Sequence, residues 1–459
     1  MTDTPTQTTP GQVDSPATRG GHDSHVVPDL AEVASTGPIE GGLSEYLRTY
    51  RQRVQGGDMG SLPAVLGLVL LSIVFSLAHH PFFSLGNLAN LTTQAAPIVL
   101  LAMGLVFILL LGEIDLSAGV TSGMCAAIAA LLIHNGTAWP FAVIAAVLAG
   151  IVVGLFIGWM RAKVKVPSFV ISLALFLALQ GVVLWIVISA HTQGNISLES
   201  KTLNALENSQ MPVWLGWVVA ILGIAGYAAY KLAEATGRRR QGLAAEPVAL
   251  LAIKIGGVAV LSLLFVWLLS LNRAINTAGG FATVNGKIVK VQAQALEGVP
   301  WVVPFVIVTF AFLAFMLKRT PYGRHVYAVG GSDEAARRAG INVDLIRISV
   351  FVIGGILAAF SGIVLASQIG VNSAEGGGNT LLLAVGAAVI GGTSLFGGKG
   401  RVVDAVIGGV VVTVIQNGMS DLVHGDNSAA VQEIVTGAVL ALAATVDAIS
   451  RRRAGASGL

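Results

Sequence analysis

The sequence has few charged residues and almost no cysteine. Charged side chains make up 11% of the 459 residues, hydrophobic ones make up 54%, and the mean hydropathy is +0.78. These values exclude an ordinary soluble domain. The single cysteine, Cys125, lies in an apolar run, so an intramolecular disulfide is excluded as well. We therefore predict an all-α polytopic protein that lies in the lipid bilayer of the cell membrane.

Other missing patterns narrow the function. The Gly-rich segment 393–400 lacks the first Gly and the final Ser or Thr of a phosphate-binding loop, so we predict no ATP site and no bound cofactor. The 8 histidines are scattered without ligand spacing, which argues against a metal site. The net charge of +3 comes without a basic face, which argues against nucleic acid. We do not expect an enzyme, and any hydrolysis of ATP with Mg belongs to another subunit.

The chain divides into a polar tail and an apolar body. Residues 1–60 are rich in Thr, Pro, Gly, Ser and Asp and contain no apolar run, so we predict a disordered cytoplasmic tail. The first apolar segment begins near Ser61, too late for a cleaved signal peptide. Residues 61–449 form the predicted transmembrane domain, and residues 450–459 form a cytoplasmic C-terminal tail.

Apolar runs of about 20 residues are long enough to cross the hydrocarbon layer as helices. Twelve runs are close to this length. Several of them are short or Gly-rich, so we predict ten to twelve spans. They are 61–78, 95–111, 117–133, 139–160, 168–190, 213–230, 247–271, 301–317, 348–368, 381–395, 402–416 and 431–449. With both termini in the cytoplasm, most of the 27 Lys and Arg residues fall on the inner side, as the positive-inside rule requires.

A polar, basic segment, residues 318–347, separates two apolar runs. Ser332 suits the N-cap of a short helix, the acidic residues 333–334 its first turn and the basic residues 337–338 its last turn. Gly340 suits its end. We predict a small cytoplasmic helix that binds a soluble partner. An ordinary helical loop fits the pattern equally well.

Several residues within or beside the spans have two interpretations. The 56 glycines fit close helix packing, or breaks in helices around a pathway. Glu113 and Asp115 follow a span, where a carboxylate serves transport or, with Ser117, caps the next helix. Asp404 is expected to pair with nearby basic residues. Lys254 is expected to reach the membrane interface along its own side chain.

Three segments together resemble a known family. LGEIDLSAGVTSG at 111–123, YGRHVYAVGGSDEAARRAGINV at 322–343 and VIGGTSLFGGKGRV at 389–402 resemble the membrane permease of ATP-binding-cassette sugar importers, in the ribose and xylose branch. NGMS at 417–420 and the long chain look most like the xylose type. The spans at 213–271 exceed the pattern of compact relatives and form an expected extra hairpin.

The resemblance implies a pathway for a neutral sugar, delivered by an extracytoplasmic sugar-binding protein and driven by a separate ATPase, with a second permease copy. The segment implied to dock on the ATPase comprises Ser332, Asp333, Glu334, Ala335, Ala336, Arg337, Arg338 and Gly340. Expected pathway residues are Asn90, Gln94, Glu113, Asp115, Gln180, Asn379 and Asn417. Two alternatives stay open: a proton-coupled or facilitative carrier that uses Glu113 or Asp115, and a membrane scaffold without transport.

Overall fold

The computed structural model describes residues 61–78, 80–191, 194–242, 246–273, 280–284, 287–291, 296–372, 377–422 and 430–438, with the isolated residues 441 and 445. The two predicted tails, 1–60 and 450–459, lie outside the described residues. So does most of the C-terminal half of the last predicted span, 431–449.

Nearly all of the described chain is helical. The helices are α1 (Leu62–Ala78), α2 (Leu85–Leu110), α3 (Ala118–His134), α4 (Trp139–Trp159), α5 (Ser168–Ser189), α6 (Lys201–Asn208), α7 (Val213–Arg240), α8 (Val248–Ser270), α9 (Val302–Arg319), α10 (Pro321–Gly331), α11 (Asp333–Arg338), α12 (Val343–Ile369), α13 (Gly378–Ile390) and α14 (Val402–Leu422). A π-helical turn, Met160–Val164, extends α4, a 3₁₀ turn spans His80–Phe83, and residues 430–438 are also helical. Four short strands are β1 (Asn195–Ile196), β2 (Gly280–Val284), β3 (Lys287–Val291) and β4 (Val371–Asn372).

Eight helices in the described part of the chain are long and apolar enough to cross a membrane: α2, α4 with its extension, α5, α7, α8, α9, α12 and α14. Three shorter apolar helices, α1, α3 and α13, fall on further predicted spans. The sequence predicted a longer helix at 381–395, but α13 ends at Ile390 because the Gly-rich residues that follow form a turn.

Helix α2 forms the centre of the bundle. Every residue from Ala95 to Leu110 is buried, and α9, α12, α13 and α14 pack around it. A helix that is apolar on all sides is stable only when protein or lipid covers all of its surface. The Ser361 hydroxyl of α12 donates a hydrogen bond to the Pro97 carbonyl at 2.7 Å and so ties the two central helices together.

Glycines allow α4 and α12 to cross closely. Gly150, Gly154 and Gly158 lie on one face of α4, and a Cβ at any of them would collide with the α12 backbone. Small residues at four-residue spacing are a common way for helices to pack in lipid. The close-packing interpretation of these glycines is therefore supported at this crossing.

Strands and side-chain hydrogen bonds hold one end of the bundle. Strand β1 pairs antiparallel with β4, with Asn195 opposite Asn372. Helix α6 is fastened to α12, since the Asn208 amide donates to the Ser367 carbonyl at 2.8 Å and the Ser367 hydroxyl donates to the Leu203 carbonyl at 2.9 Å. We call this end the strand end. Strands β2 and β3 form a separate antiparallel pair.

Helices α7 and α8 form the extra hairpin that the sequence predicted at 213–271. They pack on each other and expose long apolar faces, as expected of surfaces that face lipid. Arg319 of α9 is ion-paired with Glu234 of α7 at 2.6 Å. The Lys254 ammonium group is ion-paired at 2.8 Å with Glu246, which precedes α8, so its side chain extends towards the start of that helix, as expected.

Helices α3 and α13 both begin inside the bundle. Arg347 of α12 is paired with Glu113, whereas Gly362 of α12 packs on Ser122; these α12 positions are about 22 Å apart at 1.5 Å per residue. The segment 111–117 therefore extends from the Arg347 end of α12 into the interior of the bundle before α3 starts. The backbones of Gly119 and Gly377 meet at that level, so α13 starts beside the start of α3.

The two helices then run in opposite directions. Helix α3 leads towards the strand end, where it contacts β1 and β4. The chain after α13 returns to the end of α2, where the Gly398 amide donates to the Leu110 carbonyl at 2.9 Å. The sequence interpretation of glycines as helix breaks thus applies here, while close packing applies on α4.

Candidate functional site

The polar segment 318–347 folds into two short helices between α9 and α12. Ser332 ends α10 and caps α11, because its hydroxyl accepts a hydrogen bond from the Ala335 amide at 3.3 Å. Gly340 follows with a φ of +81°, a conformation that suits glycine. The predicted small helix is therefore confirmed in position and capping. Helix α10 was missed, although Thr320 followed by Pro321 is a typical helix start.

Helix α11 has a buried side and an exposed side. Ala336 is buried, whereas Ala335 and the charged side chains of Glu334, Arg337 and Arg338 are exposed. Glu334 and Arg338 pair one helical turn apart at 2.5 Å. Such exposed pairs contribute little to stability. The charged face is therefore free of any large folding role.

An ion-pair network joins α11 to the turn that precedes α3. The Glu113 carboxylate, 6% exposed, is 2.7 Å from the Arg161 Nε atom and 3.2 Å from the Arg347 Nε atom. Arg347, whose side chain is 10% exposed, is also paired with Asp333, the first residue of α11. One arginine thus connects the small helix to the turn 111–117. We call Glu113, Arg161, Asp333 and Arg347 the relay, and their end of the bundle the relay end.

The relay changes the interpretation of Glu113. The sequence grouped this residue with the pathway candidates, whereas the structure pairs its carboxylate with two arginines. Arg161 and Arg347 were not predicted, although each lies in a basic segment that borders a span. A second set of pairs lies nearby, since Asp344 is 3.0 Å from Lys163 and 3.4 Å from Arg337.

Asp115 shapes the start of α3. Its carboxylate accepts hydrogen bonds from the Ser117 amide at 2.8 Å and from the Ser117 hydroxyl at 2.6 Å. Ser117 itself makes no side-chain capping bond to the helix. The carboxylate therefore orders the residue that directly precedes α3, an arrangement that agrees with the capping role considered for it. Asp404 likewise pairs with Arg401 at 2.9 Å, as expected.

Two of the predicted pathway residues lie together. The Asn417 side chain of α14 accepts a hydrogen bond from the Asn87 amide at 2.7 Å and donates to Gln94 at 3.4 Å. Asn87 was not predicted, and its spacing of seven residues from Gln94, about two turns along one helix face, is the signal that could have found it. These amides bridge α2 and α14.

The remaining pathway candidates do not join that cluster through a hydrogen bond. Asn90 and Gln180 have exposed side chains on α2 and α5. Asn379, at the start of α13, donates to Glu433 at 3.4 Å. Within the described ranges, no group of three or more His, Cys, Asp or Glu side chains is arranged to hold a metal ion.

A cavity of about 180 Å³ lies beside the start of α13. Helices α3, α5 and α12 and strand β4 complete its walls. Asn379 is one of its lining residues, and Ser122 and Thr380 are other polar ones. The cavity therefore lies where the two helices that begin inside the bundle meet.

Comparison with known proteins identifies the family. A family model described as the permease component of the branched-chain amino acid transport system matches residues 87–444. The chain belongs to this permease family. The match includes the relay, the cavity and the polar segment 318–347, but excludes the N-terminal tail and α1. No solved structure matches the chain significantly.

Relatives within the permease family transport sugars, by their names. The chain is 33% identical to the xylose transport system permease protein XylH of Escherichia coli K12 over 376 residues, which cover 81% of this chain and 87% of that protein. It is 30% identical to XylH of Haemophilus influenzae, covering 85% and 96%. It is 28% identical to the ribose import permease protein RbsC of Bacillus subtilis, covering 88% and 98%.

Proposed function

We propose that this chain is the permease subunit of an ATP-binding-cassette importer and forms the membrane pathway for a neutral sugar, xylose or a related monosaccharide. The observation that carries the proposal is the relay, because it links an exposed charged helix at the bundle end to a turn that leads into the bundle interior. The names of the most similar relatives supply the substrate class.

The cavity supports a neutral substrate over the amino acid in the family description. None of the described residues that line it carries an ionisable side chain. An amino acid brings two opposite charges, and each needs a partner when it leaves water. A sugar needs hydrogen bonds alone, which serine, threonine and asparagine supply.

The proposed topology has twelve spans, both termini in the cytoplasm and the relay end facing inwards, in the plasma membrane. Basic residues support this orientation. Arg161, Lys163, Arg347 and Arg401 all belong to the relay end or to turns that lead into it, and such residues favour the cytoplasmic side.

Partners follow from this orientation. A separate ATPase, which holds the ATP and Mg, docks on Ser332 to Gly340 at the inner face. A sugar-binding protein docks at the strand end, and a second copy of the permease completes the pathway. Closure of the ATPases displaces α11, and the pairs Asp333–Arg347–Glu113 transmit this displacement to the turn before α3. Work is transmitted only if the two states differ in their contacts with the partners.

The rival function, a proton-coupled carrier, depends on a carboxylate that exchanges protons with water. Glu113 is a poor candidate because Arg161 and Arg347 lie within 3.2 Å of its carboxylate and hold it in ion pairs. Asp115 is engaged by the Ser117 amide and hydroxyl. A carrier mechanism would therefore have to break the ion pairs of Glu113 or the hydrogen bonds of Asp115.

The test is uptake of labelled xylose into proteoliposomes that contain the permease, its ATPase and its binding protein. We expect uptake that requires ATP on the side of the membrane where the ATPase lies. Uptake should fail when the ATPase or the binding protein is omitted. Uptake driven by a proton gradient with the permease alone would support the carrier instead. No uptake under either condition, for a panel of pentoses and hexoses, would contradict a transport role.

A further inference from the structure

The starts of α3 and α13 create an unusual polar environment inside an apolar bundle. Gly119 is the second residue of α3, and Gly377 is the N-cap of α13. A Cβ at either glycine would collide with the carbonyl oxygen of the other. The first amides of a helix lack partners within that helix. Two helix starts therefore bring backbone amides without partners in their own helices to one level, deep in the bundle.

The cavity lies at the level of these two helix starts, and its volume suits a small ligand. Its volume of about 180 Å³ leaves room for a ligand of the size of a monosaccharide. Gly377, Asn379 and Thr380 line it from the start of α13, and Ser122 lines it from the first turns of α3. Irregular backbone at membrane depth is tolerated where it lines such a cavity.

Two hydroxyls beside the cavity lack hydrogen-bond partners. Thr121 is 2% exposed and Ser122 is 1% exposed, and the Oγ1 atom of the one and the Oγ atom of the other make no hydrogen bond in the described structure. Leaving a buried polar group unsatisfied costs about 1–3 kcal/mol. By contrast, Ser361 and Ser367 on the neighbouring helix both donate to carbonyl oxygens. Of these two residues, Ser122 lines the cavity, so a ligand bound there can satisfy its hydroxyl.

We propose that this cavity is a binding station for a single neutral monosaccharide during its passage, with Ser122 and Thr380 as groups that bind its hydroxyls. The inference rests on the proposed transport of sugar and adds a position for the substrate within one permease subunit. A station of this kind holds the sugar weakly, since its described lining supplies few polar groups.

The chain offers a clean chemical test because Cys125 is its only cysteine. In a Cys125→Ala parent, Ser122→Cys introduces a thiol at the cavity, and Ile128→Cys introduces one on the same helix outside the lining. The complete transporter, in proteoliposomes with ATPase, binding protein and ATP, is treated with methyl methanethiosulfonate with and without xylose. The rate of thiol modification is followed by mass spectrometry.

We expect xylose to slow modification of Ser122→Cys by roughly tenfold at about ten times its Kd for the station, and to leave Ile128→Cys unchanged. Thr380→Cys provides the same measurement from α13 if the first variant does not fold. If the parent imports xylose but neither lining thiol is protected, the station is wrong while the transport function stands. If the parent imports no sugar, both proposals fail.

Discussion

Replacing Arg347 with glutamine would remove the side chain that joins Glu113 to Asp333. Glu113 would keep Arg161 at 2.7 Å, and Asp333, 44% exposed, would be solvated by water. Neither carboxylate would be left buried without a partner. The main consequence should therefore be mechanical, because α11 and the turn 111–117 would no longer be connected through this arginine.

The structure sets the size of the stability effect. Removing one partner of a fully buried ion pair costs about 3–5 kcal/mol, because it strands a charge. Here both carboxylates retain a partner or solvent, so we expect about 1.5–3 kcal/mol, typical of one lost charge-assisted hydrogen bond. The variant should still insert and assemble. Sugar uptake should fall by at least about tenfold, which corresponds to about 1.4 kcal/mol of lost coupling.

The assay compares ATP hydrolysis and xylose uptake in the same proteoliposomes. For Arg347→Gln we expect hydrolysis to continue while uptake falls, so that more ATP is consumed per sugar. Lys163→Gln is the matched control, because it removes the ion pair between Lys163 and Asp344 at the same end of the bundle. The Lys163 side chain is 57% exposed. Normal uptake with a normal ATP cost in Arg347→Gln would refute the relay, and equal loss in the control would show a nonspecific charge effect.

Three further changes test other parts of the account. Replacing both Glu334 and Arg337 with alanine should uncouple hydrolysis from uptake without loss of membrane insertion, and normal uptake would show that α11 is not the docking helix. Gly154→Ala should lower the melting temperature, since its Cβ meets the Phe351 carbonyl of α12, with a cost of about 1–3 kcal/mol, whereas Gly223→Ala, in open space, should not. Burial raises the pKa of Glu207 on α6 from 4.5 to about 8, so the folded protein holds this proton more tightly than the unfolded chain does. The contribution of this proton to folding stability is complete below pH 4.5 and is lost as the pH rises through about 8. Glu207→Gln should therefore have the melting temperature of the wild type at pH 4.5 and a higher one at pH 9. Identical dependence of the melting temperature on pH in the two proteins would exclude the effect.

The sequence predicted the features that depend on local patterns. Apolar runs located the long helices, because covering a helix in lipid requires apolar residues along its length. Ser332 and Gly340 located α11, because caps act within one helical turn. The extra hairpin at 213–271 was visible as two runs joined by a short basic turn. These predictions need no knowledge of distant contacts.

The features that depend on contacts between distant residues were missed. Glu113 and Arg347 are far apart in the chain, so a carboxylate at a helix break was open to both a transport and a structural role. Asn87 and Asn417 meet only because α2 and α14 pack together. The start of α3 inside the bundle was also hidden, since an apolar run of 17 residues looks like a complete span. Its depth is set by contacts with α12 and by the crossing at Gly377, which are distant in the chain.

The most direct measurement of the central claim is cross-linking from α11 to the ATPase subunit. Ala335 is exposed on that helix, so Ala335→Cys in the Cys125→Ala parent places a single thiol at the proposed docking surface. A short thiol-reactive cross-linker should join this position to the ATPase, and an impermeant thiol reagent should label it only from the cytoplasmic face. Labelling from the outer face, or a cross-link to the sugar-binding protein, would contradict the account.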